Sequence, residues 1–178
     1  IDTLIVNGAE CEPYITCDDR LMRERAQGIV EGIEIVSELL SAGRVLVGIE
    51  DNKPEAILAM REATQHCHFP IQVVSVPTCY PSGGAKQLIK LLTNKEIPAG
   101  MRSTQSGVQC FNVATLYYIA RALLEGEPVT DRIVTLTGHV LKPGNYEVRL
   151  GTPLHYLLDM VGCCPDTQGY IYGGPMMG

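Results

Sequence analysis

Asp2-Thr3-Leu4-Ile5-Val6-Asn7, followed by Gly8-Ala9-Glu10-Cys11-Glu12-Pro13-Tyr14, is the stretch whose reading decides the fold. The first half is apolar without alternation, as expected of a strand buried on both faces. The second half is a polar, Gly- and Pro-punctuated loop. Asp18 and Asp19 then stand where an acidic N-cap belongs. From there Leu21, Met22, Ala26, Ile29, Val30, Ile33, Val36 and Leu40 recur at helical spacing, and Gly43 is expected to stop the helix. A buried strand, a loop and a long amphipathic helix make the opening of a parallel α/β sheet.

The pattern repeats downstream. Arg44–Glu50 and Ile71–Val76 read as further strands, and Lys53–Gln65 and Gly84–Leu92 as helices. Thr93–Gly107 reads as a polar loop, and Asn112–Leu124 as a helix closed by Glu125-Gly126. A mostly parallel sheet with helices on both faces follows, with ligands expected at the loop edge. After Pro128 the periodicity changes. Ile133–Thr137 and Tyr146–Arg149 read as a hairpin around a tight turn at Lys142-Pro143-Gly144-Asn145. Leu154, Leu157, Leu158 and Val161 form the stripe of a short helix, and Tyr170–Tyr172 reads as a last strand. Hairpin, helix and strand suggest a small β-grasp module, giving domains 1–128 and 129–178.

Composition bounds the function. Of 178 residues 46% are hydrophobic and 19% charged, ordinary for a globular protein, and the net charge of −6 argues against nucleic acid as a main partner. No apolar run is long enough to span a bilayer. The chain opens on a strand without Met and ends after a Gly-rich stretch, so both ends are expected to continue. Seven irregularly spaced cysteines, with no CxxC, fit reduced thiols better than a disulfide framework or an iron–sulfur site.

Three loops could carry chemistry. The paired carboxylates Glu10 and Glu12 can accept hydrogen bonds from ribose or flavin groups, or simply face water. Tyr80-Pro81-Ser82-Gly83-Gly84-Ala85-Lys86 joins a strand to a helix, and its glycines allow close backbone approach to a phosphate or merely form a turn. It matches neither G-x4-G-K-[ST] nor G-x-G-x-x-G. Asn112 and Thr115 open a helix, where a plain N-cap is the simpler reading. His66-Cys67-His68 has poor spacing for a metal, and no hydrolytic triad is visible.

Taken in order, NGAECEPYITCDDRLM, GIEDNKP, YPSGGAKQLI, NVATLYYIARALLEGEP and GGPMMG resemble the RnfC family, a subunit of the Rnf electron-transport complexes, through essentially the whole chain. The first domain is similar, more distantly, to the FMN-binding subunit of respiratory complex I. VTLTGHVLKPGNYEVRLGTPLHYLLDMVG resembles the soluble-ligand-binding β-grasp (SLBB) domain that follows it. The resemblance implies a Rossmann-like FMN-binding domain and then an SLBB-like domain. It implies FMN contacts from Asn7, Glu10, Glu12, Tyr80, Gly83, Asn112 and Thr115, with Glu12 beside NADH. Gly84 and Ala85 stand where the complex I pattern has glutamates. The Gly-rich phosphate loop is expected before Ile1, and the ligands of two [4Fe–4S] clusters after Gly178. The implied function is NADH oxidation through FMN, with electrons passed to the clusters. The setting would be an ion-translocating complex, peripheral at the cytoplasmic face of the bacterial inner membrane through its partner subunits. A related cobalamin reductase of diol-utilisation microcompartments, and a non-catalytic docking module, are the competing readings.

Overall fold

A computed structural model describes residues 1–178. The backbone divides into two compact units: one comprises Ile1–Cys11 with Asp18–Glu127, the other Glu12–Cys17 with Pro128–Gly178.

The first unit is built on four parallel strands, β1 (Thr3–Gly8), β2 (Arg44–Glu50), β3 (Ile71–Val76) and β4 (Val108–Asn112), in the order β3-β2-β1-β4. Between them run α1 (Cys17–Leu40), α2 (Pro54–Ala63) and α3 (Ala85–Thr93), and α4 (Val113–Ala120) follows β4. Pleating sends neighbouring residues to opposite faces. A Cβ on Gly8 would press into Met22 of α1, whereas one on Gly48 would press into Leu88 of α3. Asn7, not Gly8, is the register partner of Gly48. The two helices therefore cover opposite faces, which is why β1 and β2 are almost wholly buried. On the α3 face Ile5, Val76, Leu88, Ile89, Ile97 and Val108 form one cluster. Elsewhere α1 and α4 approach so closely that a Cβ on Gly32 would overlap the backbone of Leu116.

Several sequence expectations shift. Val108–Asn112 is a strand that the sequence pattern does not mark. Helix α1 ends at Leu40 with Ser41 in the left-handed region, before Gly43 is reached. Asp18 and Asp19 lie in the first turn of α1, and the acceptor for their backbone N–H groups is the Glu10 carboxylate. The helix starting at Asn112 changes into a π-helical turn at Arg121–Glu125.

In the second unit β5 (Asp131–Leu136) pairs antiparallel with β6 (Gly144–Arg149), and α5 (Leu154–Val161) follows. The connection is longer than the tight turn expected at Lys142–Asn145. Val140 bridges Cys163, and the Leu141 and Lys142 N–H groups donate to Gly162 and Val161 at the end of α5, so this backbone is held by the helix end. Tyr170–Tyr172 does not form the expected strand. Its side chains are exposed, and Gly173 and Gly174 follow at positive φ, which bends the chain away from an extended path. Thr16 belongs to this unit: its N–H donates to Thr135 Oγ1 at 3.1 Å, and Asn145 Nδ2 donates to its hydroxyl at 3.0 Å. No helix is long and apolar enough to cross a membrane.

Candidate functional site

The chain leaves β1 toward β2 and β3, then returns to lay β4 on the other side of β1. The point between β1 and β4, outside their C-terminal ends, is where open α/β sheets place ligands. Asn7 and Asn112 are register partners there.

Both asparagines fasten the local structure. Asn7 Nδ2 donates to the carbonyl of Gly83 at 2.8 Å, and its Oδ1 accepts from the N–H of Ala9 at 3.0 Å. Asn112 is the N-cap of α4, accepting from Ala114 N at 2.9 Å. Its Nδ2 donates to Asp18 Oδ2 at 2.6 Å and, more weakly, to Asn7 O at 3.4 Å. The plain N-cap reading of Asn112 is thus correct, but the same amide also ties α1 to β4.

The second loop folds onto the first. Gly83 N donates to Cys11 Sγ at 3.4 Å, and a Cβ on Gly83 would overlap the carbonyl oxygen of Ala9. Only glycine permits that approach. Gly84, the N-cap residue of α3, offers no side-chain acceptor, so the first-turn amides of this exposed helix start have no side-chain cap. Tyr80 stands half-buried at the head of the loop. It lines an open groove of about 890 Å³ with Cys79, Leu91 and Ile97, and Lys86 and Lys90 border it. Thr115 sits half-buried in the first turn of α4.

The two carboxylates that look like a pair in the sequence have different jobs. Glu10 caps α1, its two oxygens accepting from Asp18 N at 2.9 Å and Asp19 N at 3.2 Å. Glu12 belongs to the second unit, where Oε2 accepts from Met176 N at 3.0 Å and Oε1 is buried without a partner. The first unit contains Asn7, Glu10, Tyr80, Gly83, Asn112 and Thr115, of which Asn7 bonds to both Gly83 and Asn112, and Glu12 stands with the second.

One acidic residue at this edge escapes the sequence reading. Glu50, the last residue of β2, is 1% exposed, and Oε1 accepts from Ser82 Oγ at 3.1 Å. Burial pushes its carboxyl above the ordinary 4.5, against the pull of the Ser82 hydrogen bond and Lys53. Its neighbour Asp51 is exposed and held below the ordinary 3.8 by hydrogen bonds from the Thr78 hydroxyl and N–H. A signal for Glu50 is present: an acidic residue closing a strand that is otherwise apolar after Arg44.

A parallel sheet whose loops after β1 and β3, the latter glycine-rich, are fastened to the β4–α4 junction at its switch point defines a nucleotide- or flavin-binding α/β domain. The chain belongs to the Nuo51 FMN-binding domain family, whose sequence profile matches residues 1–121, and residues 133–178 match the SLBB domain. Over its whole length it is similar to the RnfC-type subunit of the ion-translocating oxidoreductase complex of Edwardsiella ictaluri, at 55% identity. It is similar to the same subunit of Pectobacterium atrosepticum and of Salmonella typhimurium, at 56% and 54%. The chain spans about a quarter of the length of these relatives (22%, 26% and 24%). Among solved structures, the NAD+-reducing [NiFe]-hydrogenase in its H2-reduced state matches with a TM-score of 0.77 at 18% identity, covering 91% of this chain and 33% of the hydrogenase chain. That likeness establishes the fold. The expected class, a parallel FMN-binding α/β domain followed by an SLBB domain, is the one found.

Proposed function

We propose that this chain is the flavin-binding part of an NADH-oxidising subunit of an ion-translocating electron-transport complex. The observation that carries the reading is the seam at the switch point. Asn7 holds the Gly83 carbonyl, and Asn112 holds Asp18, so the loops after β1 and β3, the start of α1 and the β4–α4 junction form one surface. The residues present suit FMN in chemistry. The close backbone approach at Gly83 leaves no side chain between the loops, and the start of α3 lacks a side-chain acceptor. Acceptor-rich flavin and phosphate groups match such donors. FMN, when bound, supplies the exchange between two-electron hydride transfer and one-electron release.

The protein's own residues would then divide the work. Asn7, Gly83, Asn112 and Thr115 shape and hold the flavin pocket. Tyr80 walls the side toward the open groove, where Lys90 pairs with Glu96 and Lys86 donates to the Pro98 carbonyl. Glu12 would accept from the adenosine ribose hydroxyls of NADH and repel the 2′-phosphate of NADPH. Electrons would leave to [4Fe–4S] clusters held outside this stretch. Docking would be peripheral, at the cytoplasmic face of the membrane through partner subunits, with residues 1–128 and 129–178 as the functional domains.

The test is kcat/KM of the full-length subunit for NADH and NADPH with a soluble electron acceptor. Glu12→Gln keeps size and an acceptor but removes charge. Weaker NADH binding and relieved repulsion of NADPH together shift the preference ten- to a hundred-fold, on the order of 1.4–2.8 kcal/mol. An unchanged ratio removes Glu12 from ribose recognition.

A further inference from the structure

Glu50 takes no part in that division of work, yet it is the most deeply buried acid of the chain. It closes β2 with 1% of its surface exposed. Oε1 has one donor, Ser82 Oγ, and Oε2 is buried with none. Ser82 is itself only 4% exposed and sits inside the second loop, between Tyr80 and Gly83. Its N–H donates to Cys79 O at 2.7 Å, and Gly84 N donates to Pro81 O at 2.9 Å, so the hydroxyl is carried by a tight turn. The charged groups acting on Glu50 come from each side of this edge: Lys53 after β2, Glu10 from the β1–α1 loop, and its neighbour Asp51. One cation faces two anions.

A carboxylate in this position would hold a full charge on a single hydrogen bond, away from water. That is costly. The neutral acid needs less solvation and still accepts from Ser82. The ionised acid gains most if the turn lifts and water enters.

We propose that Glu50, acting through Ser82, is a positioning residue that makes the Tyr80–Gly83 loop a pH-sensitive wall of the site. The loop's role in holding a cofactor rests on the flavin reading above; the anchor itself does not. The sign follows from burial. With the carboxyl raised above 4.5, the closed loop binds more protons than the open one. Closure is therefore strongest in acid and weakens as pH rises through the raised value. Asp51, which grips Thr78 at the start of the same connection, acts in the opposite sense and releases only below 3.8.

The experiment uses the full-length subunit and two readouts followed as pH is raised from mildly acid to mildly basic. Hydrogen exchange at the amides of residues 79, 80 and 82–84, expressed as protection relative to the intrinsic exchange rate at each pH, reports the loop without ligand, and quenching of FMN fluorescence reports cofactor affinity. In the parent, loop protection and FMN affinity should both fall as pH rises. Glu50→Gln keeps an acceptor for Ser82 and should flatten both profiles. Ser82→Ala should lower loop protection at every pH and abolish the pH dependence of that protection, with an unchanged melting profile confirming that the fold is intact. A Glu50→Gln protein that keeps the parental pH profile of loop protection overturns the proposal, and so does a Ser82→Ala loop protected like the parent's. Loop protection that follows pH with FMN affinity unmoved supports the anchor and instead contradicts the loop's place in the flavin site.

Discussion

Asn112→Ala is the most informative single change in the first unit. The Asn112 side chain makes two strong hydrogen bonds, to Ala114 N at 2.9 Å and to Asp18 Oδ2 at 2.6 Å. Loss of an N-cap costs about 1 kcal/mol. Loss of a hydrogen bond to an ionised group costs about 1.5–3 kcal/mol. Together the change should remove about 2.5–4 kcal/mol, which for a unit of this size lowers Tm by about 8–15 °C. Two controls separate the parts. Asn112→Ser keeps a capping oxygen and loses the donor to Asp18, so it should lose about 1.5–3 kcal/mol. Asn112→Asp keeps the cap but sets a second carboxylate against Asp18. It should be at least as unstable as Asn112→Ala at neutral pH and recover as pH falls and the pair takes up protons. Urea and thermal unfolding followed by circular dichroism give these values directly. A loss below about 0.5 kcal/mol in Asn112→Ala, the level of an ordinary surface change, refutes the view that this amide fastens the switch point.

Gly32→Ala tests the α1–α4 contact: helix propensity favours alanine by about 1 kcal/mol, but the overlap with the Leu116 backbone should make the net change destabilising by about 1–3 kcal/mol in urea unfolding. Asp51 should titrate below 3.8 by NMR and return toward it in Thr78→Ala, and whatever stability the pair gives is present above 3.8 and lost as pH falls through the folded value. Burial pushes the Cys110 thiol up to about 11, so mass-spectrometric mapping of alkylation in mild base should find Cys110 protected while exposed Cys79 reacts. Limited proteolysis should nick first near 126–132, where the linker follows the π-helical turn; cleavage confined to 93–107 would speak against a separate second domain.

The sequence makes the sheet legible where burial is complete. Leu4-Ile5-Val6 and Val45-Leu46-Val47 carry no alternation because α1 and α3 cover both faces of those strands. Strand β4 escapes because Val108-Gln109-Cys110-Phe111 lies at the sheet edge, where only Val108 is fully buried and polar residues are tolerated. Tyr170–Tyr172 misleads in the other direction: its residues favour strands, but propensity without a partner to pair with does not make one. The candidate site is legible as loops but not as a network. Glu10 and Glu12 are two residues apart in sequence, yet one caps α1 and the other holds Met176 N, a division set by contacts from distant residues. Glu50 is hidden for the same reason, since its meaning depends on Ser82, which lies 32 residues further along the chain.

If one flavin site forms where the loops after β1 and β3 meet the β4–α4 junction, hydrogen exchange of the full-length subunit with and without FMN will reveal it. Bound FMN should slow exchange in residues 7–12, 80–86 and 112–115 together, with β5, β6 and α5 unaffected. FMN binding that leaves those three segments unchanged, or that protects the second unit alone, would place the flavin elsewhere.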